Sequence, residues 1–130
     1  VQALRKYGYH LGMAFQIIDD ILDFRGDEDR IGKPVANDLR QGIATLPVML
    51  FAEKSPNHPT IMKAVGREPV SDEEMLAVVE QIRASGSVDE AMEQARRFIR
   101  QAQAELESLP DNTYRQSMHG LADYTVDRDI

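Results

Sequence analysis

Three observations predict an all-α fold for this sequence of 130 residues. Apolar residues recur at spacings of three and four along several segments, which is the repeat of one helix face. Helix-start signatures of the Ser-x-x-Glu type occur twice, at Ser71 with Glu74 and at Ser87 with Glu90. No segment alternates apolar and polar residues in the period of two that a half-buried strand requires, and no internal repeat is present.

The first helix is predicted over residues 2–24. Gly8 and Gly12 are four apart and share a face, where they would let a neighbouring helix approach closely. Reading them as flexible points fits less well, because each glycine costs about 1 kcal/mol in a helix interior. His10 on this helix is expected to pack or to sit at a rim. Residues 25–38 read as a polar loop punctuated by Gly26, Gly32 and Pro34. Asn37 or Asp38 can cap a short turn through Gln41.

Thr45 is the expected cap of a helix running to Lys54, with Pro47 tolerated in the first turn. Its Leu-Pro-Val-Met-Leu-Phe-Ala run is apolar all round and predicted to be buried. A loop with an exposed His58 and a short helix over residues 60–65 follow. Ser71 then starts a helix bearing Met75, Val78, Val79 and Ile82. Ser87 starts another, bearing Ala91, Ala95, Phe98, Ala102, Leu106 and Leu109, which Pro110 ends. Asp111 or Asn112 can start a last helix bearing Tyr114, Met118, Leu121 and Ala122. His119 and the tyrosines are expected in the core or at its rim.

A chain of this length can bury a core of its own. It begins at Val1 inside predicted helix without an initiator Met, which suggests a fragment, a trimmed chain or a processed one. No run of 18 apolar residues exists, so no membrane insertion is expected. Zero cysteines exclude disulfides, thiolate metal sites and cysteine nucleophiles, and fit a cytoplasmic protein. The net charge of -7 argues against nucleic acid and anionic membranes as partners. Residues 1–42 hold seven of the 22 acidic side chains and six of the 15 basic ones. Close-set mixed charge of that kind suits a site for a metal and an anionic ligand.

The chemistry concentrates in residues 12–24. Asp19 and Asp23 are four apart, one helical turn above each other on one face. Asp20 flanks them, and Gln16 stands three residues before Asp19. Three carboxylates and an amide thus share one side over about 10 Å, among Phe15, Ile18, Ile21 and Leu22. Two carboxylates about 6 Å apart repel by about 3 kcal/mol at an effective dielectric of 20. They also meet the unfavourable end of the helix dipole. A divalent cation would turn these penalties into attractions, so a metal site is expected rather than a solvated polar face.

The acidic run Asp27, Glu28 and Asp29 fails the calcium-loop template, because Pro34 stands where a bidentate Glu is needed. It reads as solvated charge. Lys33, held between Gly32 and Pro34, is the cation of interest in this loop.

With these residues in place the sequence resembles the trans-isoprenyl diphosphate synthases, the polyprenyl synthetases. The match runs Gly-x3-Gly-x-Ala-Phe-Gln-Ile-x-Asp-Asp-x-Leu-Asp over residues 8–23, then Gly-Lys-Pro, Asn-Asp-Leu-Arg-Gln-Gly and Ala-Thr-Leu-Pro up to Pro47. Asp-Asp-x-x-Asp alone is a weak pattern, but in this forty-residue setting it is specific. The resemblance implies the C-terminal half of the isoprenoid-synthase helical bundle, with residues 1–54 forming the metal and diphosphate site and residues 55–130 the variable C-terminal helices.

It also implies a Mg2+-dependent prenyltransferase that condenses isopentenyl diphosphate with an allylic prenyl diphosphate. Asp19 would ligate magnesium directly, and Asp20 and Asp23 would ligate it or orient its waters. Gln16 would line the same wall, and Lys33 would contact the diphosphate. A homodimer, or a heteromer with a regulatory subunit, is the implied assembly.

The chain departs from the family at three points. The first Asp-rich motif is absent, Ala36 stands at a position often occupied by glycine, and Ile43 stands where many members carry a second lysine. The 130 residues alone are therefore expected to be catalytically silent. A terpene cyclase would carry an Asn/Asp-Ser/Thr-Glu pattern for its second metal motif, which residues 19–23 lack. A non-catalytic helical partner subunit would have no reason to keep the aspartates.

Overall fold

A computed structural model describes residues 2–25 and 36–127 of the chain. Among the described residues every regular element is helical, as expected. We label the helices α1 (Gln2–Arg25), α2 (Asn37–Arg40), α3 (Leu46–Lys54), α4 (Pro59–Val65), α5 (Asp72–Ala84), α6 (Ser87–Glu105) and α7 (Thr113–Asp127), with a 3-10 turn at Leu106–Ser108. They sort into two compact units, one of residues 2–18 with 92–127 and one of residues 19–91. Helices α1 and α6 each contribute to both.

In the first unit the buried face of α6 reads Met92, Ala95, Ile99, Ala102, continuing into Leu106 of the 3-10 turn. Those spacings of three and four keep one stripe facing inward. Tyr7, Ala14, Ile17 and Ile18 are the buried residues of α1 in this unit. The Tyr7 hydroxyl donates to the Met118 carbonyl of α7 at 2.6 Å, and burial pushes its pKa up. His10 packs its ring against Tyr9 and Phe98, the structural role expected of it.

The second unit is built on α5, whose Met75, Val78, Val79 and Ile82 are buried. Helices α3 and α4 both pack on α5, and α2 packs on α4. The α2–α4 approach depends on Gly42, at φ +84°. A Cβ there would lie 2.9 Å from the Ala64 carbonyl oxygen, too close for any side chain. Ser71 and Glu74 form the expected capping box, a motif worth about 1 kcal/mol. The Lys63 ammonium, followed by the Ser71 backbone N–H, holds the Glu74 carboxyl below its usual range.

The end of α1 is secured within this unit. Phe24 and Ile21 are fully buried, and Arg83 donates from Nε to the Phe24 carbonyl at 2.6 Å. A guanidinium there satisfies a carbonyl with no intrahelical partner, and it offsets the negative end of the dipole.

Several local expectations are corrected. Gly8 and Gly12 are exposed with no neighbour within 4 Å of a Cβ position, so no described helix approaches them. Phe15 and Met49, expected among buried neighbours, are 44% and 50% exposed. Thr45 precedes α3 but its hydroxyl makes no capping bond; it is buried without a partner among the described residues. His58 is half-buried and is itself a cap, with Nδ1 accepting from the Thr60 N–H at 3.3 Å. Ser87 lies inside α6 rather than capping it. Its buried hydroxyl bonds to Ser85 and Lys54, and Glu90 pairs with Lys54. On α7 the expected core face is largely open, with Tyr114 81% exposed and only Ala122 of the four fully buried.

Candidate metal and diphosphate site

Asp19, Asp20 and Asp23 occupy the last two turns of α1, in the second unit. Asp19 is exposed, while Asp20 and Asp23 are half-buried. Gln16 is exposed on the stretch of α1 that belongs to the first unit. Lys33 and the run Asp27, Glu28 and Asp29 lie outside the described residues.

The Asp23 carboxylate is engaged by backbone N–H groups at the start of α2. Its Oδ1 accepts the Asn37 N–H at 2.9 Å, and its Oδ2 accepts the Asp38 N–H at 3.1 Å. Its own carbonyl accepts the Ala36 N–H at 2.8 Å. Asp23 therefore caps α2 from fourteen and fifteen residues away. Neither Asn37 nor Asp38 supplies the cap, and the residue at the N-cap position, Ala36, has no side-chain acceptor to offer.

Ala36 is buried and left-handed, at φ 55° and ψ 42°. For a residue with a Cβ that conformation costs about 1–2 kcal/mol, which is the physical reason glycine suits this position. The three hydrogen bonds to Asp23 hold it there.

The cap also brings a fourth carboxylate into the neighbourhood. Burial pushes the Asp38 carboxyl above its ordinary range, and the Asp23 charge adds to the rise. Sequence reasoning used Asp38 as a possible helix cap and as part of the Asn-Asp-Leu-Arg-Gln-Gly match, and gave it no place beside the aspartates. The signal for more was an acid four residues after the Gly-Lys-Pro of the matched motif.

The donor set suits magnesium, a hard cation that takes one or two carboxylates and fills its remaining positions with water and phosphate oxygens. Asp19 and Asp20 are of that kind. A cage of three carboxylates does not fit. Among the described residues no three His, Asp or Glu side chains converge closely enough to hold a metal ion. A cavity of about 400 Å³ lies at the other end of α2, lined by Arg40, Gly42, Ala64, Arg67, Glu68 and Met75 among others. None of the three aspartates lines it.

The polyprenyl synthetase family profile matches residues 1–82. The chain belongs to that family. It is 37% identical over 123 residues to heptaprenyl diphosphate synthase component 2 of Bacillus subtilis, covering 95% of this chain and 35% of that protein. Against octaprenyl diphosphate synthase of Escherichia coli it is 33% identical over 129 residues, covering 98% of this chain and 40% of the relative.

Solved structures agree. A polyprenyl synthase from Caulobacter crescentus, complexed with calcium and isoprenyl diphosphate, superposes with a TM-score of 0.83 at 35% identity. That match covers 99% of this chain and 40% of the other. Heptaprenyl diphosphate synthase from Staphylococcus aureus gives 0.87 at 33% identity, covering 99% and 40%. The chain thus spans 35–40% of the length of these relatives. Among the described residues no helix is long and apolar enough to cross a membrane.

Proposed function

We propose that this chain supplies one metal- and diphosphate-binding half of a cytoplasmic Mg2+-dependent trans-prenyltransferase. The reaction is the condensation of isopentenyl diphosphate with an allylic prenyl diphosphate to give a longer polyprenyl diphosphate. The observation that carries this reading is the exposed Asp19 beside the half-buried Asp20 at the end of α1, inside the segment that the polyprenyl synthetase profile matches. A relative at 35% identity whose structure holds a divalent cation and isoprenyl diphosphate supports it.

When bound, magnesium supplies Lewis-acid stabilisation to a departing diphosphate. The chain's own contribution is placement. Asp19 presents an anionic oxygen to solvent where a hydrated cation can reach it, and Asp20 offers a second, more sheltered one. Gln16 supplies a neutral amide on the same helix, and Lys33 a positive charge for the diphosphate. No side chain need act as nucleophile, in keeping with zero cysteines. Residues 1–54 hold these groups, residues 55–130 supply the supporting helices, and the remaining ligands come from outside these 130 residues. A homodimer or a heteromer would provide the assembly. The heteromer is suggested by the word "component" in the name of the Bacillus subtilis relative.

Isothermal titration of the 130-residue chain with inorganic diphosphate tests the reading. Binding is expected with Mg2+ present and is lost on adding EDTA. Equal binding with and without Mg2+ would contradict it.

A further inference from the structure

We propose that the cavity at the C-terminal end of α2 is a second ligand site, which takes an organic phosphate monoester with a short alkyl or isoprenoid tail. No metal and no aspartate of α1 enters it, so it stands apart from the function proposed above.

The cavity, of about 400 Å³, has the size of a small-molecule site. Its walls come from three stretches of the second unit: the end of α2, the turn after α4 and the first turn of α5. Arg40 and Arg67 bring two guanidiniums, while Pro69, Val70 and Met75 form an apolar side. One guanidinium fork matches one carboxylate. Two suit the near-double charge and three free oxygens of a phosphate monoester. The apolar side calls for a tail.

The backbone at Arg67 is strained in a way that places this side chain. The Arg67 N–H donates to the Ala64 carbonyl at 3.1 Å, and the Glu68 N–H donates to the Lys63 carbonyl at 2.8 Å. That is the Schellman pattern, whose left-handed position is usually filled by glycine. Arg67 fills it here, at φ 59°, although Gly66 stands beside it with an ordinary φ of -78°. Left-handed residues other than glycine cluster at ligand-binding and active sites. The Arg67 side chain reaches back toward α2, its Cγ lying 3.5 Å from where a Cβ on Gly42 would stand. The stem thus passes beside Gly42, two residues from Arg40.

Two carboxylates oppose an anion. Arg40 donates from Nη1 to Asp72 Oδ1 at 3.1 Å, but the aspartate side chain is 91% exposed and that of Arg40 only 22%. An ion pair so wet at one partner adds little, and a dianion in the cavity can compete with it. Glu68 also lines the cavity. Its charge weakens the site, so Glu68→Gln is expected to tighten binding.

The test is calorimetric titration of the 130-residue chain with n-pentyl phosphate, with EDTA present throughout. Saturable binding about tenfold tighter than that of inorganic phosphate is expected, since each buried methylene is worth a factor of about four. Arg67→Gly should lower the affinity about tenfold through lost charge-assisted hydrogen bonds. Its Tm should hold or rise, because glycine suits the left-handed turn. Isopentenyl phosphate compares the tails: tighter binding assigns the site to isoprenoids, and equal binding assigns it to alkyl phosphates at large. In NMR spectra the ligand should shift the amides of Gly42, Glu68 and Val70.

The proposal is overturned if n-pentyl phosphate shows no saturable binding, or binds no tighter than inorganic phosphate, which would mean an adventitious ion only. It is also overturned if Arg67→Gly binds as wild type does, or if the amide shifts centre outside the cavity. Should Arg67→Gly not fold, the shifts in the wild-type chain decide. A chain that passes this titration but fails the Mg2+-dependent one with diphosphate loses only the function proposed above.

Discussion

Asp19→Asn is expected to weaken Mg2+-dependent diphosphate binding by about two to three orders of magnitude while leaving the fold intact. The estimate follows from losing one anionic oxygen on a divalent cation, worth several kcal/mol in Lewis-acid sites, with each 1.4 kcal/mol a factor of about ten. Stability should move little. Asp19 is exposed, and substitutions at such positions usually stay within about 0.5 kcal/mol. Removing its charge also relieves i,i+4 repulsion with Asp23, a few tenths of a kcal/mol in the stabilising direction. The diagnostic is therefore a split: binding falls steeply and the Tm does not. Titration calorimetry and a thermal melt on the same sample check it, and a Tm that drops together with binding would assign Asp19 a structural role.

Phe24→Ala is expected to have the largest effect on stability, about 3–5 kcal/mol. The ring is 1% exposed at the last turn of α1, next to the three aspartates. For a domain held by about 5–15 kcal/mol, that loss removes a large share of the margin. The companion change, Phe15→Ala, should cost less than half as much, because Phe15 is 44% exposed. Urea unfolding of the two variants side by side measures the contrast. Equal costs would mean that Phe15 is buried in solution.

That contrast shows where the sequence is readable and where it is not. Helix α1 was predictable nearly to its end, and α5 could be placed from Ser71 and Glu74, because both signals are local. They depend on spacing within one turn and on an acceptor three residues from its donor. The same logic misled at Ser87, where the pattern recurs but the serine is buried and Lys54 draws off both Ser87 and Glu90. Exposure of Phe15, and of Tyr114 and Leu121 on α7, could not be read from periodicity, since an apolar stripe shows which face is apolar and not whether anything covers it.

The candidate site divides in the same way. The aspartates were legible as an electrostatic anomaly and, through the surrounding motif, as a family signature. The cap that Asp23 places on α2 was not. It depends on two hydrogen bonds spanning fourteen and fifteen residues and on a left-handed Ala36, none of which leaves a mark at the scale of one helical turn. Asp38 stayed hidden for the same reason, its place being set by that cap.

The most direct measurement replaces the matching 40% of Escherichia coli octaprenyl diphosphate synthase with these 130 residues and follows chain elongation from isopentenyl diphosphate and an allylic primer. The account predicts turnover that requires Mg2+ and falls at least a hundredfold with Asp19→Asn in the grafted segment. Turnover that survives that substitution, in a chimera of unchanged Tm, would contradict it.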